Sequence, residues 1–204
     1  MRIYKIPKWL RRFYPQAIWD FFSSTDKTIY LTFDDGPGAE TTSWLLDLLA
    51  REHINVSFFC LGKNAEMHPD LMQRMRDAGH TVGNHGYFHL DGFKTKEADY
   101  IENAAAGFKI IPTTLYRPAY GRISPGQYEA LTQLGYRLVF WTHLTYDFDD
   151  SLSSSARILK IKSATKPGAI FVFHDSEKAF PNLRQELPLL IEFWKSEGYQ
   201  FGVV

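Results

Sequence analysis

Short apolar runs alternate with longer amphipathic stretches along the whole chain. The apolar runs predict seven strands, at Thr28–Phe33, Ile54–Cys60, His80–Asn84, Thr114–Arg117, Arg137–Thr142, Ala169–Phe173 and Tyr199–Val203. The stretches between them predict six helices, at Glu40–Glu52, Lys63–Ala78, Lys96–Phe108, Pro125–Leu134, Leu152–Ala164 and Leu183–Glu197. Strands that alternate with helices imply a parallel sheet, either open or closed into a barrel.

Several of these helices have recognisable ends. Ser124 precedes Pro125, as an N-cap residue precedes a proline in the first helical position. Gly79, Gly135 and Gly198 stand where helices are expected to stop. No linker, repeat or low-complexity segment interrupts this rhythm, so the pattern predicts one α/β domain.

Bulk composition narrows the class of protein. The chain has 204 residues, of which 45% are hydrophobic, and 23 basic residues balance 23 acidic ones. A neutral chain is a poor match for a nucleic-acid partner, so none is predicted. No apolar run is long enough to span a bilayer. The single cysteine, Cys60, excludes an internal disulfide framework and is predicted to be a small buried side chain.

The amino-terminal segment mixes basic and aromatic side chains. That mixture suits an anionic membrane surface, but Pro7 and Pro15 interrupt any long amphipathic helix. The segment also lacks the continuous apolar core of a secretory signal. We therefore predict that residues 1–26 form a strap that packs on the main domain, residues 27–204.

Polar side chains collect at the ends of the predicted strands. Five strands end at or just before titratable or cationic residues: Asp34 and Asp35, His85 and His89, Arg117, His143 and Asp147, and His174 and Asp175. All strands of a parallel α/β barrel open onto one face at their carboxyl ends, where active sites are built. These residues are therefore expected to meet at one rim.

The spacing of His85 and His89 points to metal binding. Two imidazoles four residues apart lie on one side of a helical turn, and a carboxylate from elsewhere would make a set of three ligands. Three protein ligands leave one position open, as in catalytic metal sites. Zinc is the usual ion for such ligands, although nickel, cobalt and iron suit them too. Two histidines at this spacing often lie on a surface without a metal, and the Asp pair on a neighbouring strand is what favours a site here.

Three motifs resemble those of a known family. They are Thr32-Phe33-Asp34-Asp35-Gly36-Pro37, His85-x-x-x-His89 and Arg117-Pro118-Ala119-Tyr120-Gly121. The chain from about Lys27 to Val204 thereby resembles the polysaccharide deacetylases of carbohydrate esterase family four, the NodB-homology domain. It departs from the family pattern at Gly86, where Ser or Thr is usual, and at Ala119, where Pro is usual. The resemblance implies a distorted (β/α) barrel with about seven parallel strands.

The resemblance also implies roles for the polar residues. Asp35, His85 and His89 would be the metal ligands. Asp34 would be the general base, and Arg117 would orient it.

Further roles implied by the resemblance concern the leaving group and the substrate. The backbone N–H of Tyr120 would donate to the developing oxyanion, and His174 would protonate the departing amine. Val172, Phe148 and Asp147 would contact the substrate.

The fourth motif of the family is altered. In Trp141-Thr142-His143-Leu144-Thr145-Tyr146-Asp147-Phe148, Phe148 replaces a tryptophan, and Leu144 falls where an earlier Asp is usual. On this alignment His174 lacks its customary carboxylate partner, unless Asp147 or Asp175 takes that place.

Three functions remain in competition at this point. The resemblance implies a metal-dependent hydrolase that removes acetyl groups from N-acetylated or O-acetylated sugars of a polysaccharide, such as peptidoglycan or a chitin-like glycan. Gly86, Ala119 and Leu144 motivate a second hypothesis, a carbohydrate-binding protein on a decayed scaffold. The third is a glycoside hydrolase that uses Asp34 with Asp147, which leaves the histidines unexplained. Such glycans point to the cell envelope, although no export signal is visible.

Overall fold

The computed structural model describes residue 4, residues 8–22 and residues 26–204, with only the backbone of Lys8. Within these residues the chain forms eight strands and seven α-helices. The strands are β1 (Thr28–Asp34), β2 (Ser57–Cys60), β3 (Thr81–Asn84), β4 (Leu115–Tyr116), β5 (Arg137–Leu138), β6 (His143–Leu144), β7 (Ile170–His174) and β8 (Gln200–Gly202). The helices are α1 (Ala39–Glu52), α2 (Gly62–Met67), α3 (Pro69–Asp77), α4 (Glu97–Ile110), α5 (Pro125–Gln133), α6 (Ser154–Ala164) and α7 (Phe180–Ser196).

The strands form one curled parallel sheet around β1. The sheet order is β5-β4-β3-β2-β1-β7-β6, and β8 pairs with β1 in addition. Two strands share one edge of β1: β8 pairs with its first residues, from Thr28, and β2 pairs with its last residues, from Thr32. Every strand pairing is parallel. The predicted distorted barrel with about seven parallel strands is therefore confirmed, and the predicted run Tyr199–Val203 contributes the short strand β8.

One predicted strand is wrong. The run Arg137–Thr142 was expected to form a single strand, but it gives only β5, which pairs with β4, and β6 follows separately and pairs with β7. Between the two lies Val139, which forms an isolated parallel bridge with Ile18 of the amino-terminal segment. The chain leaves one edge of the sheet here and crosses to the other, so no single neighbour can pair with the whole run.

The helices match the predictions with one exception. The stretch Lys63–Ala78 contains two helices, α2 and α3, that are separated at His68, whose φ of −129° and ψ of 60° are not helical. Steric conflict with the ring of Pro69 disfavours helical geometry at the preceding residue. Ser124 caps α5 in a reciprocal capping box with Gln127, as its sequence position indicates. None of the described helices combines the length and apolar character needed to cross a membrane.

The core consists of hydrophobic clusters between the sheet and the helices. The larger cluster buries side chains of β1, β2 and β7 against α1, α3 and α7, and Trp194 is fully buried within it. Cys60 is buried there as well, as predicted. A second, largely aromatic cluster joins α4 and α5 to residues from β4, β5 and the amino-terminal segment.

The described part of the amino-terminal segment contacts the barrel beside β5. Residues 8–13 form a 3-10 helix, and beyond it the Trp19 ring stacks on Phe140 with centroids 4.1 Å apart. The Ile18 amide donates to the Leu138 carbonyl, and the Phe140 amide donates to the Ile18 carbonyl, both at 2.8 Å. Residues 1–3, 5–7 and 23–25 of the predicted strap lie outside the described residues.

These contacts predict unequal effects for two tryptophans. Trp19 is 7% exposed and Trp9 is 63% exposed. We expect Trp19→Ala to lower the free energy of unfolding by about 3–5 kcal/mol, because it removes a buried ring and leaves a cavity. Trp9→Ala is the matched control and should change it by less than about 0.5 kcal/mol. Urea denaturation measures both, and equal effects would contradict the packing of this segment on Phe140.

Candidate active site

A cavity of about 350 Å³ lies at the carboxyl ends of the strands. Its wall combines carboxylates and imidazoles with aromatic and aliphatic side chains: Asp34, Asp35, His85, His89, Pro118, Tyr120, Trp141, Leu144, Phe148, Val172, His174, Ser176 and Lys178. Of the residues to which the family resemblance assigns a role, all but two line it. Arg117 and Asp147 lie behind the wall, each against a lining residue.

Asp34 at the end of β1 is held by a buried cation. Its Oδ1 accepts from Nη1 of Arg117 at 2.6 Å, and the same Nη1 donates to the Thr32 hydroxyl at 2.6 Å. Arg117 is fully buried, with its guanidinium carbon 4.0 Å from the centroid of the Phe59 ring. A buried charge is tolerated when it is paired and hydrogen-bonded in this way. Asp34 is thereby fixed at the cavity wall beside a positive charge.

Asp35, His85 and His89 bring three potential ligand atoms together. Nε2 of His89 lies 3.3 Å from Oδ1 of Asp35, and Nε2 of His85 lies 3.6 Å from the same oxygen. All three atoms lie within 4.8 Å of one another. Ligands at about 2.1 Å from one ion in tetrahedral geometry are about 3.4 Å apart, so this spacing suits a single zinc-sized cation.

The chemistry of the three residues fits a cation as well. Oδ1 of Asp35 is buried and accepts no hydrogen bond from the described residues. Burial lowers the pKa of His85 to about 3 and also lowers that of His89, which keeps the imidazoles in the neutral form that binds metals. Nδ1 of His85 is 2.7 Å from the Arg117 carbonyl, an outer contact that orients the ring and directs Nε2 to the triad.

Asp175 supports the turn that carries Asp35. Its Oδ1 accepts from the Gly36 amide at 2.9 Å and its Oδ2 from the Thr42 hydroxyl at 2.7 Å. A Cβ at Gly36 would lie 1.9 Å from that Oδ2, so only glycine fits there. Burial raises the pKa of Asp175 to about 7, with a smaller contribution from Asp35. Sequence analysis missed this support, and its only signal was that Asp175 directly follows His174.

Asp147 is the carboxylate partner of His174. Its Oδ1 is 2.8 Å from Nδ1 of the His174 ring, and its Oδ2 accepts from the His174 amide at 2.7 Å. Leu144 lines the cavity instead, so the open question about the altered motif is answered by Asp147. Asp147 is 1% exposed and both its oxygens are engaged, an arrangement that does not suit the substrate contact predicted for it.

The environment of His174 keeps a proton on the ring. Burial lowers the pKa of His174, but the charge and hydrogen bond of Asp147 outweigh that effect and raise it to about 9. The more distant carboxylates Asp35 and Asp34 act in the same direction. His174 is therefore an imidazolium at neutral pH.

Apolar and aromatic groups complete the cavity. Phe148 meets the His174 ring edge-on at 4.8 Å, and Val172 contributes a buried part of the wall. Tyr120 is 58% exposed, its ring lies 4.4 Å from that of His89, and its φ of 59° is unusual for a non-glycine residue. His143, on a neighbouring strand end, is buried against Tyr4 and faces a different cavity.

Comparison with known proteins gives a consistent result. A family model described as polysaccharide deacetylase matches residues 23–139. A peptidoglycan-N-acetylglucosamine deacetylase of Bacillus cereus is 32% identical over 157 residues, which cover 72% of this chain and 56% of that protein. The peptidoglycan-N-acetylmuramic acid deacetylase of Bacillus subtilis is 32% identical over 194 residues, which cover 88% of this chain and 70% of that protein.

A solved structure shares nearly the whole fold. The crystal structure of a peptidoglycan N-acetylglucosamine deacetylase in complex with 4-naphthalen-1-yl-N-oxidanyl-benzamide superposes with a TM-score of 0.89 and 27% identity, over 98% of this chain and 95% of that one. The chain spans only about half of the Bacillus cereus relative, 56% of its length. The family model nevertheless covers more than half of the 204 residues, and the chain belongs to the polysaccharide deacetylase family.

Proposed function

We propose that this protein is a metal-dependent hydrolase that removes acetyl groups from N-acetylated sugars of a polysaccharide, such as peptidoglycan or a chitin-like glycan. The observation that carries the proposal is the presence of two acid–base groups with different partners in one cavity with a potential metal-ligand triad. Asp34 is paired with Arg117, and His174 is paired with Asp147. Amide hydrolysis needs one group to take a proton and another to give one.

The proposed metal site consists of Asp35, His85 and His89. When bound, a divalent cation, for which zinc is our first choice, supplies Lewis acidity that makes water more acidic and an acyl carbonyl more electrophilic. Cobalt, nickel or iron would suit the same ligands. The neutral state of both imidazoles favours this assignment.

The residues of the cavity can divide the reaction between them. Water adds to the acyl carbon while Asp34 accepts its proton, and Arg117 holds the carboxylate in place for that transfer. The backbone N–H of Tyr120 donates to the oxyanion that forms. The C–N bond then breaks, its electron pair stays on nitrogen, and His174 gives that nitrogen the proton it needs to leave as an amine. Acetate and a free amino sugar are the products.

The remaining cavity residues suit recognition of the acyl group. Phe148 and Val172 offer an apolar surface to the acetyl methyl or to a sugar face. We propose that Asp147 acts on His174 rather than on the substrate, because Nδ1 of the ring is tied to it and Nε2 is left for the leaving group. Relatives named for peptidoglycan suggest that the chain works at the cell envelope.

The structure weakens the case for both alternative functions by explaining Gly86 and Leu144 and by engaging Asp147. Gly86 has a φ of +82°, and a Cβ there would lie 2.5 Å from Asn103, so glycine is a backbone requirement at this position and no sign of decay. Leu144 does not leave His174 without a carboxylate partner, because Asp147 supplies one. A glycoside hydrolase that pairs Asp34 with Asp147 would need a carboxyl group free to act, and both oxygens of Asp147 are bound to His174.

The first test measures acetate release from N-acetylated chito-oligosaccharides and from peptidoglycan glycan strands. We expect turnover by the metal-loaded protein, and a loss of about 10²–10⁴-fold in Asp34→Asn with its metal retained, because general base catalysis is removed. Asp91→Asn is the control, since Asp91 forms an Arg pair of equal length, 2.6 Å to Arg122, outside the cavity. Full activity of Asp34→Asn would exclude it as the base. Shortened glycan chains without released acetate would favour a glycosidase. Binding of the glycan without either product would favour a binding protein.

The second test concerns the metal ligands. His89→Ala should weaken metal binding by more than about 100-fold, since even loss of an outer partner costs 10- to 100-fold. Competition with a chelator measures the affinity, and elemental analysis gives the metal content per chain. His53→Ala is the control, because His53 is an exposed residue at the end of α1. Equal affinity in the two variants would rule out the triad.

The third test uses the pH dependence of kcat/KM. Because His174 must be protonated to act as the acid, activity should fall as the pH rises through about 9. In Asp147→Asn the pKa of His174 should fall, because burial still lowers it while only the smaller effects of Asp35 and Asp34 still raise it, and the alkaline decline should move to lower pH. Asp149→Asn removes a carboxylate from the same loop and should leave the profile unchanged. An unshifted alkaline limb in Asp147→Asn would contradict the pairing.

A further inference from the structure

The loop that carries Asp147 is tethered by a fully buried arginine. Arg157, on α6, binds the Glu186 carboxylate through Nε and Nη2 at 2.9 Å, and both side chains are essentially inaccessible. Its Nη1 donates to the carbonyl of Tyr146 at 3.1 Å and to that of Asp149 at 2.9 Å. One guanidinium therefore holds the backbone on both sides of Asp147.

A second helix holds the carbonyl of Asp147 itself. Asn182, in the first turns of α7, donates through Nδ2 to the Asp147 carbonyl at 2.8 Å and to Oδ1 of Asp150 at 3.0 Å. Together with Arg157, it anchors three carbonyls within four consecutive residues. Arg157 and Asn182 do not line the cavity, and their side chains do not touch the side chain of a proposed catalytic residue.

The loop has reason to need such anchors. Tyr146 adopts a φ of +59°, a strained conformation for a non-glycine residue that persists only where surrounding contacts impose it. A buried ion pair is also a poor source of stability, because a well-packed apolar pair of similar size often does as well. An apolar pair would lack the additional donor, Nη1 of Arg157, which here binds the carbonyls of the loop.

We propose that Arg157 and Asn182 are positioning residues that fix the Asp147 carboxylate against the His174 ring by anchoring the backbone around Asp147. The inference rests on the proposed function, in which His174 is the general acid. Small displacements of a catalytic group reduce rates steeply, since about 1 Å of misplacement can cost about 100-fold. Anchoring at 2.8–3.1 Å from two helices restrains such displacements.

Asn182→Ala and Asn182→Asp are the test variants, because Asn182 is half-exposed and its loss leaves no buried charge. The Asp variant keeps the shape but removes the N–H donors. We expect kcat for deacetylation to fall by about 10- to 100-fold in both, with KM and metal content unchanged. Asn55→Ala is the matched control: Asn55 makes the same kind of bond, 2.7 Å to the Ala78 carbonyl, at an exposed site outside the cavity. It should leave kcat unchanged.

A readout independent of activity follows the hydrogen bond itself. In the zinc-loaded protein, the His174 Nδ1–H bound to Asp147 should give a downfield proton resonance that is absent from His174→Gln. We expect this signal to weaken or exchange faster in both Asn182 variants and to persist in Asn55→Ala. Arg157→Lys keeps a cation beside Glu186 but cannot reach both carbonyls. In this variant, if it folds, the signal should weaken as in the Asn182 variants.

The outcomes of these experiments distinguish the positioning role of Arg157 and Asn182 from the proposed function. An unchanged signal and unchanged kcat in the Asn182 variants would overturn the positioning role, as would an equal loss in Asn55→Ala. If the wild-type protein released no acetate from any glycan, the proposed function would fail, while the resonance would still decide whether these side chains hold Asp147 against His174.

Discussion

Arg117 carries a positive charge inside the barrel, and its hydrogen-bond partners come from β1 and from the segments that follow β3 and β5. Its Nη1 binds Thr32 and Asp34 of β1, while its Nε and Nη2 reach the carbonyls of Val139 and Phe140 at 3.2 and 3.4 Å. Its own carbonyl meets the ring of His85, which follows β3. A charge without these partners would be costly at full burial. Because the guanidinium binds both, it couples the position of Asp34 to that of the segment between β5 and β6.

The site uses the same residue type in two opposite states. Burial without a dominant carboxylate partner lowers the pKa of His85 to about 3, whereas Asp147 raises that of His174 to about 9. A neutral imidazole can bind a metal, and a charged one can deliver a proton. The two pKa values separate because burial dominates at His85, whereas the charge and hydrogen bond of Asp147 outweigh burial at His174.

Sequence reasoning reached the fold and most of the cavity, for identifiable reasons. Strand ends are marked by apolar runs that stop at Asp34, His85 or His174, and a parallel sheet gathers such ends at one edge. It failed where the determining contact is distant in sequence. Nothing near Arg137 indicates that Ile18 will pair with Val139 and divide the run. Nothing near Leu144 shows which carboxylate will reach His174, because a tight loop with a left-handed residue at Tyr146 sets that distance.

The amino-terminal segment connects to the site through the stretch between β5 and β6, residues 139–142. Trp19 stacks on Phe140, and the Phe140 amide donates to the Ile18 carbonyl. The carbonyl of that same Phe140 accepts from Arg117, which in turn binds Asp34. β5 and β6 lie at opposite ends of the strand order. Between them, the Val139 amide donates to the Tyr116 carbonyl of β4 and the Thr142 amide to the Ile170 carbonyl of β7, whereas the Phe140 amide bonds to neither strand. Ile18 supplies the missing backbone pairing at that point, so a residue more than one hundred positions away in sequence helps to fix the carbonyls on which the buried guanidinium depends.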